Sequence, residues 1–238
     1  MMHSLKTSVS LAALMMVTLS GASSQAAMIY QSNFVGPAFG SEWSNQYSAN
    51  GRGTVEIRQL PDDVGRVAMS LQMRGGTAGW DVSAIDLTVN LSQHSALEMK
   101  FNHWVFQDAV NTFGPLTSYT GYAPADGISI SQNGVNWFPI WSASSVSVSP
   151  TEGLWTDNET LDISAAIAGN GLSPTANFKI RFQQYSVGSN LTSDGRGYHD
   201  IRISGTALPS PAPEPSTLAL LGIGAVCGIV SSGRRRRR

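Results

Sequence analysis

Three aspartates stand at places where a chain could hold a cation: Asp126 before Gly127, Asp194 before Gly195, and Asp200 in "GYHDIR". Carboxylates at strand ends, beside turns that offer backbone carbonyls, suit a hard oxygen-seeking ion, and a structural calcium is the candidate cofactor. Asp next to Gly is equally a common turn former, so both readings stand here. A second acidic set, Asp157, Glu159 and Asp162 in "DNETLD", falls at a predicted turn, with Asp162 placed to cap a helical turn behind it. It does not supply the two carboxylates on one strand face that glycoside hydrolysis uses. "GISIS" around Ser129 lacks the closing glycine of a nucleophile elbow. His94, His103 and His199 have no tight metal-ligand spacing. No catalytic residue is assigned, and the chain is read as a non-enzyme.

The other available chemistry is sugar recognition. If Leu97, Met99 and Phe101 face a core, alternation sends Trp104 and Phe106 to the opposite face with Lys100 and Asn102. By the same rule Arg181, Gln183 and Tyr185 leave the core face of "NFKIRFQQY". Flat aromatic rings beside amide and guanidinium groups suit a sugar, which stacks its apolar face and hydrogen-bonds its edge. The competing reading buries these rings, with a bulge at His103 resetting the phase. Trp137 and Trp141 are secondary candidates for the same contact.

The elements that must carry these residues are strands. "RVAMSLQMR" alternates through Val67, Met69, Leu71 and Met73, and "AIDLTVNL" through Ile85, Leu87, Val89 and Leu91. Asn133-Gly134 marks a tight hairpin, and only "LDISAAIAG" reads as a helical turn. Short strands with glycine-rich turns predict an all-β fold, a two-sheet sandwich. No internal repeat is evident. The single cysteine, Cys227, lies outside this region, so the domain contains no disulfide. Between Met28 and Leu208 nine Lys or Arg face fifteen Asp or Glu, a balance of minus six. An acidic domain without a basic stripe argues against nucleic acid as a partner.

Both ends carry export signals. Lys6 followed by the apolar run Val9 to Leu19 and "SSQAA" predicts a secretory signal peptide over 1–27, removed by signal peptidase. The sandwich is expected over 28–207 and a Pro-rich linker over 208–216. Leu218 to Val230 spans only about 20 Å as a helix, but the small uncharged residues from Ser216 to Gly233 lengthen it to about 27 Å. A single transmembrane helix is therefore expected over 217–233, with the arginines of 234–238 on the cytoplasmic side of the inner membrane.

"PAPEPSTLALLGIGAVCGIVSSGRRRRR" resembles the PEP-CTERM sorting signal of Gram-negative bacteria, through Pro213, Glu214, Pro215 and Ser216, an apolar helix, and Arg234, Arg235 and Arg236 in the terminal cluster. The resemblance implies an exosortase as partner, a membrane-embedded cysteine protease. It also implies a transiently anchored precursor later released to the cell surface or an extracellular, biofilm-type polysaccharide matrix. "NFVGPAFGSEW", "ADGISISQNGVNWFPIW" and "RFQQYSVGSNLTSDGRGYHDIRISG" together resemble MAM and concanavalin-like jelly-roll sandwiches. That resemblance implies the jelly-roll form of the sandwich. The Glu-x-Asp-x-x-Glu strand of β-glucanases in this architecture is missing. The expected function is a non-catalytic polysaccharide-binding or adhesion module. The alternatives are a secreted glycan hydrolase on the same fold and a purely structural matrix protein.

Overall fold

A computed structural model describes residues 26–32, 34, 36–51, 53–59, 66–73, 79–105, 111–143, 155–188 and 195–209. Its elements in chain order are β1 (Ala26–Ser32), β2 (Trp43–Ser48), β3 (Gly53–Gln59), β4 (Val67–Met73), β5 (Gly79–Val89), β6 (His94–Val105), β7 (Tyr119–Thr120), β8 (Gly127–Ser131) and β9 (Asn136–Ser142). They continue with β10 (Trp155–Asp162), α1 (Ile163–Gly169), β11 (Phe178–Gly188) and β12 (Gly195–Ala207). Two antiparallel sheets of six strands each pack into a jelly-roll-like sandwich. The first runs β10-β6-β12-β4-β3, with β1 also on β12, and the second runs β2-β5-β11-β8-β9-β7. Long β12 holds β6 along one edge and shares the other between two strands: β4 pairs with Gly195 to Tyr198, β1 with Ile201 to Thr206.

Alternation explains the core. Ile85, Leu87 and Val89 of β5 and Phe178, Ile180 and Phe182 of β11 face inward from one sheet. Leu97, Met99 and Phe101 of β6 meet them from the other. On β12 the phase changes, because Asp200 takes a left-handed φ of 52° where the register with β6 shifts. That bulge turns both Tyr198 and Ile201 inward. Phe182 and Tyr198 then meet edge-on across the sandwich, 5.0 Å between ring centres.

Local signals are used as written. Asn133 and Gly134 link β8 to β9, with Gly134 at φ 75° and the Asn133 Oδ1 accepting from the backbone N–H groups of Val135 and Asn136. Asp162 caps α1, accepting from Ala165 N at 2.7 Å, while Ile163 and Ile167 bury the helix face. The turn expected over "DNETLD" is instead the edge strand β10. Asn158, at φ 63°, absorbs a register shift against β6, so the stretch stays paired despite its turn-forming composition.

Among the described residues no helix is long and apolar enough to cross a membrane. The expected transmembrane helix at 217–233, most of the signal peptide, Pro213 to Ser216 and Arg234 to Arg236 all lie outside those residues.

Candidate ligand-binding groove

The outer face of the second sheet is built from the residues that alternate with its core. On β5 these are Trp80, Val82, Ala84 and Asp86; on β11 they are Arg181, Gln183 and Tyr185. The register sets Arg181 opposite Asp86, Gln183 opposite Ala84 and Tyr185 opposite Val82. Residues 111–126, including β7, lie across part of this face and cover it.

Arg181 and Gln183 hold that cover in place. Arg181 donates from Nε and Nη2 to the two oxygens of Asp86 at 2.7 and 2.9 Å, a forked, buried ion pair. Its guanidinium also donates to the Gly121 carbonyl, and its Cζ lies over two rings, 3.7 Å from the centre of Trp137 and 4.4 Å from that of Tyr122. Gln183 Nε2 donates to the carbonyls of Ala123 and Ala125 at 2.7 and 2.8 Å. Tyr119 donates to Ser129 Oγ at 2.9 Å and stands 3.1 Å from Gln183 Oε1. Burial pushes the Tyr119 phenol up to about 12, so it stays a neutral donor.

Beside this cover an open groove of about 430 Å³ remains, within the usual range for ligand pockets. Tyr47, Ala49, Trp80, Val82, Tyr122, Pro124 and Tyr185 line it. Tyr47 and Tyr122 stack face to face, 3.7 Å between centres and 6° from parallel. Trp80 and Tyr185 lie 6.5 Å apart at 34°. The Trp80 side chain is half exposed, at 50%, so its ring is open to a ligand. A larger hollow, about 510 Å³, opens between β2 and β3, but its Trp43 is buried and spends its indole N–H on Tyr30 Oη at 2.9 Å. The β5–β11 groove is therefore the better ligand surface.

The residues predicted for sugar contact divide. Tyr185 lines the groove, whereas Arg181 and Gln183 sit on the expected face but are buried under residues 111–126 as scaffold. Trp104 is on the face opposite His103, as alternation requires, yet it is only 3% exposed and presents no open platform. His103 stays inward and neutral, its pKa well below the usual value through burial and then Arg196. Phe106 lies outside the described residues. Trp137 is spent on Arg181, and Trp141 packs edge-on against Phe101 and His103 in the core.

Of the predicted calcium ligands, the two that are described, Asp126 and Asp200, each pair with an arginine. Asp126 is wholly buried, and its carboxylate is filled by protein donors: Arg196 Nη2 at 3.1 Å, Asn111 N at 3.0 Å and Tyr185 N at 2.6 Å. A guanidinium thus supplies the positive charge that an ion was expected to bring. Burial raises the Asp126 pKa, opposed by Arg196 and the two backbone donors. Asp200 is taken by Arg202, whose Nε donates at 2.7 Å, and Asp194 lies outside the described residues. Among the described residues no three His, Cys, Asp or Glu side chains form a metal-binding group.

Sequence reasoning missed Tyr47, Trp80 and Tyr122. Trp80 had a signal: the alternation that turns Ile85 and Leu87 inward sends Trp80 outward with Val82.

Residues 211–237 match the profile of the PEP-CTERM protein-sorting motif, so the chain carries that motif at its end. The motif implies an exported, membrane-anchored precursor that an exosortase processes. No curated protein matches the chain. Among solved structures it is similar to TmCBM27, a carbohydrate-binding module that recognises mannan. The identity is 10%, the match covers 77% of this chain and 99% of that one, and the TM-score is 0.39. It is also similar to a family 11 carbohydrate-binding module from Clostridium thermocellum, solved with a β-1,3-1,4-mixed-linked tetrasaccharide. There the identity is 16%, the coverage 77% and 98%, and the TM-score 0.42.

Proposed function

We propose that this chain is an exported surface or matrix protein whose sandwich binds polysaccharide through the β5–β11 groove. The half-exposed Trp80 ring, beside Tyr185 and across from the Tyr47–Tyr122 stack, carries the reading. Aromatic faces bind the C–H side of a pyranose, and phenol and indole edges bind hydroxyls. Among the described residues the groove lining includes no carboxylate or histidine, which supports binding without hydrolysis. The sorting motif at 211–237 supports delivery to the envelope surface, where such a ligand is abundant. After signal peptidase and exosortase act, release from the inner membrane into the matrix completes the route. Calcium is not needed by this mechanism.

The test is co-sedimentation of the full chain with extracellular polysaccharide purified from its host, alongside Trp80→Ala. Retention of the wild type, loss in the variant, and no release of reducing sugar are expected. Equal retention of both proteins would move the site elsewhere, and steady release of reducing sugar would make the protein a hydrolase.

A further inference from the structure

Resting on that reading, we infer that the groove selects uncharged polysaccharides and excludes acidic ones. Among the described residues the lining offers no cation. Its side chains are aromatic or apolar, and its polar groups are three phenols and one indole N–H. None of these four hydrogen-bonds another described side chain, so each can meet a ligand hydroxyl. Tyr122's phenol, raised in pKa by burial, stays uncharged across the physiological range.

Among the described residues, the cation behind the groove is already committed. Arg181 lies directly behind Tyr122, forked onto Asp86 and clamped between Tyr122 and Trp137. At 3% exposed it cannot swing out to a carboxylate or sulfate without leaving Asp86 buried and unpaired. A site for uronate chains needs the opposite arrangement, a guanidinium or ammonium pointing into the groove. The wider field acts in the same direction, because the balance of minus six between Met28 and Leu208 repels polyanions at low salt. What the groove retains is the stacking of apolar sugar faces, which needs no charge and resists salt.

The experiment is affinity electrophoresis of the full chain in detergent, in native gels cast with hydroxyethyl cellulose, galactomannan, alginate or polygalacturonate. Retardation by one or both neutral polymers is expected, with little change between low and high salt and about a tenfold loss in Trp80→Ala. Alginate and polygalacturonate should leave mobility unchanged. A second variant, Ala49→Lys, places an ammonium on the groove wall and should gain salt-sensitive retardation by the acidic polymers. Retardation of the wild type by acidic polymers alone would overturn the selectivity while leaving polysaccharide binding in place. Failure with all four polymers, in a chain that also ignores its host's polysaccharide, would overturn the binding reading and this inference with it.

Discussion

Arg196 of β12 reaches through the interior to Asp126 at the start of β8, Nη2 to Oδ2 at 3.1 Å, with both side chains sealed from solvent. The pair joins the two sheets, and Asp126 Oδ1 also accepts from the backbone N–H of Tyr185, a groove residue. Removing either partner strands the other charge in a dry interior. Asp126→Asn or Arg196→Met should cost about 3–5 kcal/mol in urea unfolding. Because the counter-charge is a guanidinium, the loss for Asp126→Asn should be the same in EDTA as in millimolar calcium.

His103 predicts an acid-sensitive fold. It is fully buried against Trp141 and Tyr198, and burial and then the Arg196 charge hold it neutral. Its folded pKa is depressed, so below the unfolded value of about 6.5 the unfolded chain binds a proton that the fold refuses. Stability should therefore fall as pH drops from 7.5 to 5.5, by about 1 kcal/mol from this residue. Unfolding of His103→Phe across the same range should lose that increment of slope.

Gly127 and Gly171 separate strain from crowding. Both have positive φ, 151° and 63°, but a Cβ on Gly127 would stand 2.1 Å from the Trp141 carbonyl oxygen, whereas Gly171 faces open space. Gly127→Ala should destabilise by about 2 kcal/mol or more, because backbone must move. Gly171→Ala should cost only about 1 kcal/mol, the price of the left-handed conformation. Thermal melts of the two variants decide this.

Gln183 is a positioning residue for the groove. Its amide holds the Ala123 and Ala125 carbonyls, and the segment between Gly121 and Ala125 carries Tyr122 to its stack on Tyr47. Gln183→Leu removes the amide donor from both carbonyls, Ala123 O keeping only the Ala125 N–H at 2.9 Å, and should cost about 1–3 kcal/mol. It should also weaken neutral-polymer retardation at temperatures where the chain remains folded. Unchanged retardation would remove it from the site's support.

The sorting motif gives a prediction by mass. Protein recovered from the host surface or medium should end near Pro213 to Ser216. In Glu214→Ala the recovered chain should keep Arg238.

Much of the fold was legible because the period-two pattern survives along the long strands: the inward sets on β5, β6 and β11 are those that alternation picks out. Asp162 as cap and Asn133-Gly134 as hairpin were legible too, since their chemistry is local. The edge strand β10 was not, because pairing to β6 overrides the turn preference of "DNETLD". The site was half legible. Alternation put Arg181, Gln183 and Tyr185 on the outer face, but it carries no information about what lies over that face. Residues 111–126 cover the first two and leave Tyr185 at the opening. Asp126 misled for a related reason: its partner Arg196 is 70 residues away, and nothing local marks the encounter.

The strand register also sets the groove apart from the two ends of the described chain. Ala26 pairs with Thr206, and Leu208 N donates to Gln93 O, so the first and last described residues leave from the same end of the sandwich. Trp80 and Tyr185 stand at the far end of β5 and β11, about 30 Å away by the rise of a strand. In sequence the sorting motif begins at residue 211, two residues after the last described one. On the proposed reading, a precursor still tethered by that motif would carry its groove at the end of the sandwich remote from residue 209, open to a polymer before release.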